Sequence, residues 1–78
     1  MTITKAQINE AIEKGEVIAF NTINERVIRF RNLKDAYTNM LAKHAAGSAG
    51  KGWRLVTEQL DLDNPSHREE MEDALKWL

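Results

Sequence analysis

The chain has 78 residues, no cysteine and a formal net charge of −1. This length suits one domain near the lower limit at which an apolar core is sufficient, and without cysteine neither disulfides nor thiolate metal sites can support it. A hydrophobic content of 42% beside 29% charged residues is ordinary for a globular protein and argues against a disordered tail.

The longest uninterrupted apolar run is Val17 to Phe20, four residues, which is too short to span a bilayer. The first five residues, Met-Thr-Ile-Thr-Lys, lack the apolar stretch of a secretory signal peptide. With no cysteine either, we expect a protein of a reducing cytoplasm, bacterial or viral in origin.

The small net charge hides a strong segregation along the chain. Residues 26–54 carry seven basic residues against Asp35 alone, for a net charge of +6, whereas residues 55–78 carry seven acidic residues against two basic ones, for a net charge of −5. Such an asymmetry either attracts a charged partner or lets copies of the chain meet head to tail.

The first predicted element is a helix. Thr4 and Gln7 have the spacing of a capping box, Ile3 and Ile8 that of a hydrophobic staple, and Gly15 is a typical helix stop. One apolar stripe follows at helical spacing, formed by Ile8, Ala11 and Ile12.

Residues 16–31 predict a β-hairpin, because β-branched and aromatic residues form two runs around a polar stretch. In the second run Ile28 and Phe30 fall on one face and Val27, Arg29 and Arg31 on the other. We expect Ile18 and Phe20 to share the inner face with Ile28 and Phe30, leaving arginine outside.

Asn32 is the predicted N-cap of a second amphipathic helix that ends at Gly47. Its apolar positions repeat at helical spacing: Leu33, Ala36, Tyr37, Met40, Leu41 and Ala45. Residues 4–46 are thus predicted to form a helix–hairpin–helix core, followed by a glycine-rich flexible joint over residues 47–52.

The remaining residues, 53–78, are predicted to be acidic and mostly helical. Residues 53–62 fit a short helix or a strand almost equally, and we favour the helix. A final helix begins either at Asn64 with Pro65 behind it or at Ser66 with Glu69, and its apolar stripe is Met71, Ala74, Leu75 and Leu78. The fold class is therefore α+β, one domain over residues 1–78.

No catalytic site is predicted. The segment Gly47 to Gly52 resembles a phosphate-binding loop but has alanine at position 45 and glycine at position 52, where that motif needs glycine and Ser or Thr. His44 and His67 have no ligand-spaced partner. The acidic residues of the last helix predict a solvated face, so we expect no enzyme, no metal and no cofactor.

The predicted docking residues are basic or aromatic. Arg29 and Arg31 share the outer face of the hairpin, which serves to solubilise a sheet edge, to dock a protein or to contact phosphates. Trp53 is either core or anchor, and Trp77 with Leu78 is a candidate partner-dependent anchor. The complete set of partner-binding candidates is Arg26, Arg29, Arg31, Lys34, Trp53, Arg54, Trp77 and Leu78.

Four runs follow the order helix with glycine stop, first strand, second strand and capped helix: Ala6-Gln7-Ile8-Asn9-Glu10-Ala11-Ile12-Glu13-Lys14-Gly15, Val17-Ile18-Ala19-Phe20, Arg26-Val27-Ile28-Arg29-Phe30 and Asn32-Leu33-Lys34-Asp35-Ala36-Tyr37. This order resembles the W protein family of tailed bacteriophages. The resemblance covers residues 4–46. It implies a non-enzymatic virion part that joins head to tail, with copies arranged in a ring around the DNA exit. Residues 47–78 depart from it, because that family would be expected to end in only a short tail.

Three functions remain open at this point. The first is a binding and assembly protein, a head–tail joining component, whose copies meet through opposite charges. The second is a phage-encoded inhibitor or regulator that binds a host protein. The third is a small nucleic-acid-binding module that uses the basic side chains of Arg26, Arg29, Arg31, Lys34, Lys51 and Arg54. A membrane partner is not expected.

Overall fold

The computed structural model describes residues 3–47 and 51–78. Its elements in chain order are α1 (Lys5–Glu13), β1 (Val17–Asn21), β2 (Val27–Phe30), α2 (Leu33–Ala45), β3 (Trp53–Leu55), β4 (Leu60–Asp61) and α3 (Pro65–Leu75). The strands form one antiparallel sheet in the order β2-β1-β3-β4. The predicted α+β class is confirmed.

The three helices begin where local capping chemistry predicts. The Thr4 hydroxyl accepts from the Gln7 N–H at 3.2 Å while the Gln7 side chain accepts from the Thr4 N–H at 2.9 Å, which completes the capping box of α1. The Asn32 side chain caps α2 by accepting from the Asp35 N–H at 2.9 Å. Of the two possible starts of α3 the first is right, since Asn64 is the N-cap with Pro65 behind it.

The main core lies between one face of the sheet and the helices α2 and α3. It contains side chains from β1 to α3 that are buried together: Val17, Ala19, Ala36, Tyr37, Met40, Trp53, Leu55, Leu60, Leu62 and Met71. α2 contacts β1 and β2, and α3 contacts β4 and α2. The two helices therefore lie side by side over opposite halves of the sheet.

The other face of the sheet is covered only in part, by α1. Ile18 and Ala11 are fully buried yet lie outside the main core cluster, and α1 contacts β1. The predicted helix–hairpin–helix order of residues 4–46 is confirmed, and α1 packs on the face of the sheet opposite the main core. β1 is an inner strand of the sheet, and it is covered by α1 on one face and by α2 on the other.

The predicted pairing of side chains within the hairpin was wrong. Val17 pairs with Phe30 and Ala19 with Ile28, so these four residues share the core face. Ile18 pairs instead with Arg29, and Phe20 with Val27. Four successive apolar residues give no alternation that could tell one buried face from the other.

The preference for a helix over residues 53–62 was also wrong. Trp53 and Leu55 are buried and Arg54 is exposed, which is the period of a strand. β3 pairs with β1, placing Leu55 beside Ala19, and the turn to β4 contains Gln59 at φ 55°. The strand depends on pairing with a segment more than thirty residues earlier in the chain and not on local propensity.

Among the described residues, 3–47 and 51–78, no helix is long and apolar enough to cross a bilayer.

Candidate functional site

The basic residues of the hairpin lie along one open side of the sheet. β2 is the outermost strand next to β1. Arg26 and Arg31 flank it, Arg29 lies within it, and Lys34 follows in the first turn of α2, and all four side chains belong to exposed residues. We call these four residues the basic edge. The predicted outward position of the arginines is confirmed.

Arg29 of the basic edge has a carboxylate close to its guanidinium. The Arg29 guanidinium lies 3.6 Å from the Glu16 carboxylate, and 47% of the Arg29 side chain is exposed. An exposed ion pair of this kind contributes little to stability and leaves the guanidinium accessible to other anions.

Arg54 does not belong to the basic edge. It lies on β3, beyond β1, with its Cα beside that of Phe20. Its guanidinium lies 3.5 Å from the Asp61 carboxylate of β4. Of the six predicted phosphate-contacting residues, Arg54 is thus separated by β1 from the four of the basic edge.

Trp53 belongs to the core, one of the two placements that the sequence allowed. Only 3% of its surface is exposed, and the Lys43 ammonium lies 5.2 Å from the centre of its ring, within range of a cation–π interaction. Trp77 and Leu78 are exposed at the end of the chain, Trp77 by 85%. They remain candidate anchors, whereas Trp53 is not accessible to a partner.

The acidic residues of α3 form the solvated face that the sequence predicts. Glu69, Glu70, Glu72 and Asp73 are all exposed and line an open groove with Ser66 and Lys76. α3 lies at the β4 side, away from the basic edge at β2. Opposite charges therefore occupy opposite ends of one sheet.

Among the described residues, the side chains with shifted pKa values are Glu10, Lys14 and Tyr37. Burial raises the pKa of the Tyr37 phenol, and the nearby carboxylates of Glu58 and Glu70 add to the rise. A 2.8 Å hydrogen bond between the exposed side chains of Lys14 and Glu10 lowers the pKa of the carboxyl and raises that of the ammonium. Neither arrangement resembles an activated nucleophile or a general base.

One histidine makes a structural hydrogen bond and the other is exposed. The Nδ1 atom of His67 accepts from the Asp61 N–H at 2.8 Å, which ties the start of α3 to β4. His44 is exposed in the last turn of α2. Within the described part of the chain, no group of three His, Asp or Glu side chains could hold a metal ion.

Only the two ends of the predicted flexible joint can be assigned, since residues 48–50 lie outside the described residues. Gly47 has φ +88°, which suits its role as the stop of α2. Gly52 is buried, donates to the Asp63 carboxylate at 3.2 Å and accepts from the Thr22 N–H at 2.8 Å. Gly52, directly before β3, is thus held in place by hydrogen bonds to Asp63 and Thr22.

Asn21 is a residue that the sequence reading missed. Its side chain is almost fully buried; Oδ1 accepts from the Ile23 and Asn24 N–H groups at 2.8 and 3.0 Å, and Nδ2 donates to the Lys51 carbonyl at 3.0 Å. It therefore fixes the loop that leads into the basic edge. An asparagine directly after an apolar run is an Asx-turn signal and could have indicated this role.

We expect Asn21→Ala to lower the free energy of unfolding by about 2 kcal/mol, because it removes a buried side chain that makes three hydrogen bonds to the backbone. Urea denaturation measures the change. Asn24→Ala is the matched control: its side chain accepts one hydrogen bond from the Arg26 N–H at an exposed position, so its cost should be about 0.5 kcal/mol. Equal costs for the two variants would contradict the central role of Asn21.

Comparison with protein families, curated proteins and solved structures finds no match for this chain.

Proposed function

We propose that this chain is a small non-enzymatic binding and assembly protein, and that it acts as a head–tail joining component of a phage particle. The observation that carries the proposal is the separation of charge across the sheet. The basic edge lies at β2, and the acidic face of α3 lies at the β4 end.

This arrangement supports contact between copies of the chain. The acidic face of one copy and the basic edge of the next are different surfaces, so their contact is heterologous and closes into a ring if the rotation between neighbours allows. Opposite charges bring the surfaces together quickly and set their orientation. A ring is the arrangement that the resemblance to the W family implies.

The partner that these observations favour is a protein and not nucleic acid. Arg54 lies on β3, away from the basic edge, and its guanidinium is 3.5 Å from the Asp61 carboxylate, so the basic side chains do not form one continuous track for a phosphate backbone. The acidic α3 would add repulsion along an extended polyanion. Exposed Trp77 and Leu78 would supply apolar contact area of the kind that protein interfaces use.

Sedimentation velocity of charge-reversal variants tests this proposal. We expect the unmodified chain to associate at low ionic strength and to dissociate at about 0.5 M salt, where charges are screened within a few ångströms. Two double variants should each be monomeric: Arg26→Glu/Arg31→Glu, which reverses the charge of the basic edge, and Glu69→Lys/Glu72→Lys, which reverses that of α3. A mixture of the two variants should associate again, because each then offers the charge that the other lacks.

Lys5→Glu, which changes an exposed lysine of α1, is the control and should leave association unchanged. A chain that stays monomeric at high concentration and low salt would overturn the assembly proposal. Tight, salt-dependent binding of a labelled DNA duplex by the unmodified chain but not by Arg26→Glu/Arg31→Glu would favour the nucleic-acid function instead.

A further inference from the structure

The outer side of β2 has backbone groups directed away from the sheet. The Asn21 N–H donates to the Arg26 carbonyl at 2.9 Å, and in the same register Ala19 is opposite Ile28 and Val17 opposite Phe30. Hydrogen-bonded and non-bonded pairs alternate along an antiparallel ladder. Ile28 and Phe30 therefore bond to β1, whereas the N–H and C=O groups of Val27 and Arg29 point outward.

Nothing in the described part of the chain covers these outward groups. Among residues 3–47 and 51–78, the hydrogen bonds outside the regular ladders do not involve the backbone of Val27 or Arg29. Val27 is 41% exposed, although it is a large apolar side chain. An open strand edge of this kind is a template for pairing with another extended chain.

A groove runs beside this edge on the face that α2 covers. It has a volume of about 450 Å³ and is lined by Phe30, Lys34, Asp35, Thr38, Asn39 and Ala42. Strand addition uses main-chain hydrogen bonds for affinity and side-chain pockets at alternate positions for specificity. The edge and the groove together provide both.

We propose that β2 accepts an acidic, extended segment of another protein as a fifth strand of the sheet. Successive side chains of the added strand point to opposite faces. Apolar side chains at alternate positions enter the groove beside Phe30, and the carboxylates between them face Arg29 and its flanking arginines. This inference goes beyond the proposed function: it adds a segment of a different protein to the backbone edge of β2, in competition with the contact between the basic edge and the α3 of a neighbouring copy.

Charge and conformation exclude a second copy as the source of the added strand. Pairing β2 with β2 of another copy places two sets of arginines side by side, and like charges across a strand pair are destabilising. The acidic residues of α3 are helical and cannot pair with a strand edge. The acidic stretch before them is already folded, since Leu60–Asp61 forms β4.

The test uses a capped nonapeptide of alternating valine and glutamate, added to the full chain and followed by amide hydrogen exchange. We expect saturable binding, with exchange of the Val27 and Arg29 amides slowed by about tenfold or more, as for new backbone hydrogen bonds. The Ile28 and Phe30 amides, already bonded to β1, should change little. The same peptide with lysine in place of glutamate should not bind.

Val27→Pro supplies a second arm. Proline removes an outward N–H and no ladder hydrogen bond, which is the position where edge strands tolerate it. We expect this variant to keep its circular dichroism spectrum and to bind the peptide at least about tenfold more weakly, as for a lost hydrogen bond. Val27→Ala, which keeps the N–H, is the matched control and should retain binding.

Binding of the peptide without protection of the Val27 and Arg29 amides would overturn strand addition and leave only contact with side chains. No binding at millimolar peptide would overturn it as well. In either case charge-dependent self-association can still be observed, so failure of this inference is distinct from failure of the proposed function. A single-stranded DNA oligonucleotide that protected the same two amides would also count against a protein strand.

Discussion

Trp53→Ala is expected to lower the free energy of unfolding by about 3–5 kcal/mol, the usual cost of removing a buried tryptophan. Trp53 is 3% exposed and contacts the Lys43 ammonium through its ring. A domain of this size is typically stable by only about 4–12 kcal/mol, so much of its stability depends on this residue. Urea denaturation at 25 °C, followed by circular dichroism, measures the loss.

Trp77→Ala is the matched control, because the same side chain is removed from a position that is 85% exposed. Its effect on unfolding should stay within about 0.5 kcal/mol. A cost for Trp77→Ala as large as that for Trp53→Ala would contradict the burial of Trp53 and the exposure of Trp77. A stable Trp77→Ala protein also allows the role of Trp77 in partner binding to be measured without interference from unfolding.

The helices could be predicted well from the sequence because their ends depend on local chemistry. The caps at Thr4, Asn32 and Asn64 each involve residues within a few positions along the chain. Hydrogen bonds of this kind form within the helix end itself, so the pattern is sufficient to predict them.

The sheet could be predicted only in part because its pairing is long-range. β3 is three residues long and pairs with β1 across the intervening α2. Once β1 has a neighbour on each side and a helix on each face, both Ile18 and Ala19 are buried. No periodicity within Val17–Phe20 indicates this arrangement.

The candidate site was predicted more accurately in its charges than in its aromatic residues. Alternation placed Arg29 on the outer face correctly, since Ile28 and Phe30 beside it are apolar. The sequence could not predict which of Trp53 and Trp77 is buried, because burial of a tryptophan depends on which distant elements pack against it. The groove beside Phe30 is likewise a product of packing, since it needs α2 to lie next to an open edge.

The attachment of α1 to the sheet can be tested at Ile18. Ile18 is fully buried on the face opposite the main core, where Ala11 of α1 is also buried. We expect Ile18→Ala to cost about 2–5 kcal/mol and Ile18→Val about 1 kcal/mol, because the cavity grows with each carbon removed. Chemical denaturation measures both values.

The loss should be local as well as global. Without Ile18, α1 has little else buried beneath it, so its amides should exchange faster than those of α2, which packs on the other face. Ile12→Ala removes an apolar side chain of α1 that is 55% exposed, and it should change neither quantity by a comparable amount. Equal acceleration of exchange in α1 and α2 by Ile18→Ala would mean that the two faces of the sheet unfold together and that α1 is not a separately attached element.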